Sequence, residues 1–121
     1  MKLTAAEEQL MQYVWKHEKV ILKDLIHSYD DPKPAKTTVA TTIKKLIDKG
    51  FVAYDEIGNI RLYYAIVKKE KYFSNQMKNM IQLFFDNSTS QFASFLAKEA
   101  SLSKKELKEL RDVIDDEIKH K

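Results

Sequence analysis

Between Lys36 and Lys49 the sequence sets short hydroxyl side chains among lysines, KTTVATTIKKLIDK, a mixture suited to holding a polyanion rather than to breaking bonds. Wound as a helix, this segment gathers Val39, Ile43, Leu46 and Ile47 on one side. Thr37, Thr41, Lys44, Lys45 and Asp48 fall on the opposite side, with Thr38 and Ala40 at its flanks. Threonine hydroxyls bond base edges and their methyls meet the thymine methyl, while lysines neutralise phosphates. Lys36 at the first turn and Arg61 further on are additional phosphate candidates, and Asn59 is a candidate for the adjacent groove. From Lys33 to Lys49 five lysines face the single acid Asp48, although the whole chain nets only +3. The plain alternative is a solvated helix face. Three features favour the DNA reading: the face is short-chained and basic, prolines and a glycine delimit the helix, and a hairpin pattern follows at once.

Other chemistries find less support. Without cysteine there are no disulfides, thiolate metal sites or cysteine nucleophiles. His17, His27 and His120 are scattered without metal-ligand spacing, and Glu117 with His120 forms only a lone pair of residues at the chain end. Asp55-Glu56 and Asp115-Asp116 lack any accompanying nucleophile motif, and no glycine-rich phosphate loop occurs. The sequence therefore predicts no enzyme, no metal and no cofactor. MKLTAAEEQL lacks an apolar signal core, and no run approaches the ~20 apolar residues that span a bilayer. A cytoplasmic protein without membrane insertion is expected.

The elements that must position these residues are punctuated by very few breakers. Pro32 and Pro34 precede the basic helix, Gly50 follows it, and Gly58 separates two alternating runs. Thr4-Ala5-Ala6-Glu7 fits a capping box opening a first helix, whose buried stripe is read as Ala6, Leu10, Tyr13, Val14 and His17, widened by Met11 and Trp15. A short second helix is expected over 23–29. The third, over 36–49, ends at Gly50. Runs 51–57 and 60–66 read as strands joined at Gly58-Asn59. Three helices and a hairpin make a winged helix-turn-helix, whose third helix enters the major groove. The expected fold is mainly α (α+β), with a winged-helix DNA-binding domain over 1–67 and a helical dimerisation domain over 68–121.

In the second domain Phe73, Met77, Met80, Ile81 and Phe84 form one helical stripe before a break near Asp86-Asn87-Ser88. Ser103-Lys104-Lys105-Glu106 caps a further helix with Leu107, Leu110, Val113, Ile114 and Ile118 on one face. Two C-terminal helices carrying these residues, together with Tyr72, Phe85, Phe92 and Phe95, hold more apolar surface than so short a segment buries alone. Folding back on the head is one outlet. A homodimer is the other, and it supplies the two-fold symmetry of a palindromic operator in double-stranded DNA.

LTAAEEQLMQYVW over 3–15, KTTVATTIKKLIDKGFV over 36–52 and LSKKELKELRDVI over 102–114, in that order, resemble the BlaI/MecI/CopY family of bacterial repressors across nearly the whole chain. The resemblance implies a dimeric winged-helix repressor, often of β-lactam resistance genes. It carries recognition-helix contacts to Thr37, Thr38, Thr41 and Lys45, with Ala40 where some relatives have arginine. It further implies dimerisation through the stripes that include Phe73, Met77, Phe84, Phe92, Phe95, Leu107, Leu110, Ile114 and Ile118. A membrane metalloprotease sensor, acting indirectly, relieves repression in the antibiotic-responsive branch by cleavage in this region, frequently at Asn-Phe. Here the aligned stretch is Ser94-Phe95-Leu96, without that pair. The alternatives are a regulator without proteolytic induction and a winged-helix module that binds protein.

Overall fold

A computed structural model describes residues 2–121. Its elements run α1 (Ala5–Trp15), α2 (Leu22–His27), α3 (Lys36–Asp48), β1 (Val52–Ile57), β2 (Ile60–Ala65), α4 (Lys69–Phe85), α5 (Thr89–Lys98) and α6 (Lys104–Lys119). The chain divides into two compact units, with the boundary between Gln76 and Met77.

In the first unit α1 opens on the expected capping box. Thr4 Oγ1 accepts from the Glu7 N–H at 3.2 Å, and the Thr4 N–H donates to Glu7 Oε1 at 2.8 Å. The face that α1 buries is Glu7, Leu10, Met11 and Val14, with Leu3 buried just ahead of the helix. Ala6 and His17, expected on it, are exposed, and the helix ends before His17. The reason is Glu7: the true stripe contains a carboxylate, which a search for apolar periodicity passes over. Glu7 is 2% exposed and pairs with Lys49 Nζ at 2.6 Å. Burial pushes its carboxyl upward, but hydrogen bonds from Lys49 and from Thr4 outweigh this and hold it below the ordinary value.

Val39, Ile43 and Leu46 of α3 and Leu25 of α2 meet the α1 face in one core, closed by Phe51, Val52 and Tyr63 of the hairpin region. Gly50 adopts φ +81° after α3. The Phe51 N–H reaches the Leu46 carbonyl at 2.9 Å and the Gly50 N–H that of Ile47 at 3.0 Å, the paired bonds of a Schellman stop. That stop turns the chain directly into β1. The strands pair antiparallel from Val52–Ala65 to Ile57–Ile60, and Val20 adds a third short rung through reciprocal bonds with Tyr63 of 2.9 and 2.7 Å.

Tyr72 corrects the expected division of labour, because it belongs to the head and not to the apolar supply of the tail. It is 7% exposed, donates its hydroxyl to Glu8 at 2.5 Å and packs its ring on Trp15 and Phe51. Burial, reinforced by the Glu8 bond, raises its phenol to about 12. Trp15 Nε1 donates to the Val67 carbonyl at 2.9 Å, so two aromatic anchors hold the chain where it leaves β2.

The second unit holds three helical stretches rather than two. After α4, Asp86 and Asn87 take positive φ of 50° and 63°, a conformation these residues tolerate, and Ser88 caps α5 by accepting from the Gln91 N–H at 3.1 Å. Phe85 packs against both Phe92, edge to face, and Phe95, tilted, at 5.6 and 5.7 Å between ring centroids. The second expected capping box is present at Ser103 and Glu106. From Met77 onward no described residue is buried.

Candidate nucleic-acid interface

The core contacts of Val39, Ile43 and Leu46 fix the rotation of α3, and thereby which side chains face away. Thr37, Thr38, Thr41, Lys44 and Lys45 are all exposed, and Ala40 is half-buried. The Thr41 hydroxyl donates to the Thr37 carbonyl at 2.8 Å and that of Thr42 to the Thr38 carbonyl at 3.0 Å. With its proton held inside the helix, Thr41 presents an oxygen lone pair and a methyl group outward. It is thus an acceptor and an apolar contact at once.

Flanking elements divide the remaining residues by side. Lys36 shares one cleft with Asn59 and Arg61, and Ala40 and Lys44 share a second with Tyr54 and Arg61. The structure therefore brings the wing residues Asn59 and Arg61 beside Lys36 and Lys44. Thr38 lies on the other flank of α3, among Gln9, Tyr29, Pro34 and Thr42. Thr37, Thr41 and Lys45 occupy the open face between them. At the start of α3, Ala35 provides no side-chain cap, which leaves the opening N–H groups for an outside acceptor.

Local electrostatics sort the basic residues more finely than their number does. Lys33 Nζ donates to the carbonyls of His27 and Tyr29, at 3.2 and 2.6 Å, and closes the end of α2. Lys49 is held by Glu7. These two lysines, counted in the basic segment of the sequence, are structural. Lys36, Lys44 and Lys45 form no ion pair among the described residues. Arg61 lies over the Tyr54 ring at 4.4 Å and faces its cross-strand partner Glu56 at 3.7 Å, so its charge is partly committed. Sequence reasoning missed both engaged lysines because their partners are a carbonyl pair and a residue on another helix.

The tail residues occupy three helices. Phe73, Met77 and Phe84 lie on α4, Phe92 and Phe95 on α5, and Leu107, Leu110, Ile114 and Ile118 on α6. Within the second unit Phe84 is 73% and Ile118 65% exposed, and Leu83, not singled out from the sequence, is 75% exposed. Ser94, Phe95 and Leu96 lie inside α5, where the first two are exposed and Leu96 is half-buried. No helix of the described residues is long and apolar enough to cross a membrane.

The model of the penicillinase repressor family matches residues 3–116. The methicillin resistance regulatory protein MecI of Staphylococcus aureus is 23% identical over 115 residues, covering 94% of each chain. A penicillinase repressor of the same organism is 22% identical over 117 residues, 96% of this chain and 93% of that one. The solution structure of the DNA-binding domain of the repressor BlaI superposes with a TM-score of 0.52 at 22% identity, over 59% of this chain and 88% of that domain. That likeness shows a winged-helix fold.

Proposed function

The chain belongs to the penicillinase repressor family, and from that premise we propose that it is a homodimeric transcriptional repressor whose α3 lies in the major groove of a palindromic operator. The observation that carries this reading is the outward face of α3. Three lysines without ion-pair partners among the described residues, Lys36, Lys44 and Lys45, surround threonines of base-reading size, with the wing residues Asn59 and Arg61 alongside. Thr37, Thr38 and Thr41 choose bases, while Lys36, Lys44, Lys45 and Arg61 hold phosphates. The names of the relatives point to genes of β-lactam resistance as targets.

Dimerisation draws support from the second unit, which has no buried residue of its own from Met77 onward and exposes Leu83, Phe84 and Ile118. A second copy covers such faces and gives the two heads the symmetry of two half-sites. The head alone binds a half-site weakly, since linkage raises the effective concentration of the second head.

Relief of repression has two routes. In the first, a membrane metalloprotease sensor triggers cleavage at Ser94-Phe95 or Phe95-Leu96 and separates the heads. In the second, the regulator is released without cutting. The helical continuity of α5, with Phe95 packed on Phe85, favours the second, because a protease needs the helix unwound first. Intact chain in induced cells would exclude cleavage.

Substitution tests the assignment of roles on a duplex selected by the full chain. Thr41→Ala should relax base choice at one position of each half-site, by about 1–3 kcal/mol of lost discrimination. Lys44→Ala should weaken all duplexes alike. The reverse pattern overturns the placement of α3.

A further inference from the structure

The first unit contains an open pocket of about 550 Å³ beside α2, the first turn of α3 and the wing. Its size is that of a small-molecule site. Ile21, Leu22, Ile26, Ile60 and Tyr63 give it an apolar lining, and Ile60 is 57% exposed. Lys23, Lys36, Arg61 and His27 also line it, and none of the described lining residues is acidic. Lys23 and Lys36 have no ion-pair partner among the described residues. The pocket thus combines a greasy surface with uncompensated positive charge.

A DNA backbone satisfies only half of that combination. Phosphates neutralise Lys36 and Arg61, but a sugar-phosphate strand gives Ile21, Leu22, Ile26 and Ile60 little apolar surface to bury against. An apolar body bearing one anionic group satisfies both halves. We propose that this pocket binds an amphipathic organic anion, a ring or branched chain carrying a carboxylate or sulfonate, and that its occupant competes with DNA for Lys36, Asn59 and Arg61. The competition rests on the repressor reading above; the binding site itself does not. Such a ligand would release the operator without any cut in α5.

The test uses 8-anilinonaphthalene-1-sulfonate as the probe on the full, ¹⁵N-labelled chain. Backbone resonances of Ile21 to His27, Lys36 and Ile60 to Tyr63 should shift on titration. Lys23→Glu, on an exposed side chain, should weaken the probe several-fold, and Ile26→Glu should abolish these shifts while the remaining spectrum stays dispersed. Shifts confined to Met77–Lys121, or none, overturn the site. At a probe concentration ten times its own Kd, strict competition raises the apparent Kd for the selected duplex about elevenfold per head, and so roughly 120-fold for a dimer that needs both pockets empty. Unchanged duplex affinity with the pocket filled overturns the competition. If the probe-free chain binds no duplex, the repressor reading fails, and the shift map still decides the site.

Discussion

Replacing Lys45 by alanine should flatten the salt dependence of DNA binding by an amount that the ion pairing of the head sets in advance. Each head carries three lysines on or beside the open face of α3 without an ion-pair partner among the described residues: Lys36, Lys44 and Lys45. Lys33 and Lys49 are occupied by backbone carbonyls and by Glu7, and Arg61 is shared with Glu56. With each phosphate contact contributing about −0.9 to the slope of log K against log salt, the six lysines of a dimer contribute roughly −5.4, to which the partly committed Arg61 adds. Through the lysines alone affinity then falls about 2,000-fold between ~50 and ~200 mM salt. Lys45→Ala removes one contact from each head, bringing the lysine contribution to roughly −3.6 and its loss over the same range to about 150-fold. Lys33→Ala should leave the slope unchanged. Fluorescence anisotropy of a labelled selected duplex, titrated at four or more salt concentrations, reads both variants. An unchanged slope for Lys45→Ala, or an equal decrease for Lys33→Ala, refutes the sorting of lysines by their partners.

Other substitutions probe the scaffold and the proposed dimer. Glu7→Gln removes an ionic partner from Lys49 and weakens the cap of α1, and should cost about 1–3 kcal/mol in urea unfolding. Because the folded Glu7 titrates below its ordinary value of 4.5, its contribution is present above that pH and is lost as the pH falls through the folded value. The acid limb of the wild-type stability profile should therefore be shallower in Glu7→Gln. Tyr72→Phe deletes the bond to Glu8 and the acceptor for the Leu3 N–H, and should lower stability by about 1–2 kcal/mol in the same assay. Leu83→Ser with Phe84→Ser should shift sedimentation from dimer to monomer while far-UV circular dichroism keeps the helical signal of the head.

The head was legible in the sequence wherever the determinant is local. The boxes at Thr4 and Ser103, the stop at Gly50 and the turn at Gly58 depend on neighbours within a few residues, and each structure element forms where those residues place it. α3 was likewise readable, because its apolar stripe alone orients its threonines and lysines. The errors share a different origin. Glu7 lies in the core because Lys49, at the end of α3, reaches it, and no periodicity of α1 contains that information. Tyr72 reads in the sequence as part of the tail's apolar supply, whereas Glu8, Leu3, Trp15 and Phe51 gather around it in the head. α5 was overlooked although Ser88 and Gln91 carry a capping signal, because the left-handed pair Asp86-Asn87 reads as the end of helical structure. The basic segment was overcounted for the same reason as Glu7 was missed, since a lysine's availability depends on what distant groups it already holds.

Selection of duplexes from a randomised pool by the full chain tests the central claim most directly. A homodimer reading DNA through two copies of α3 predicts enrichment of an inverted repeat, with half-site centres about 10 bp or a multiple apart. Thr41→Ala should blur one position in each half. Enrichment of no sequence, or of a single asymmetric site bound by one copy of the chain, would contradict the account.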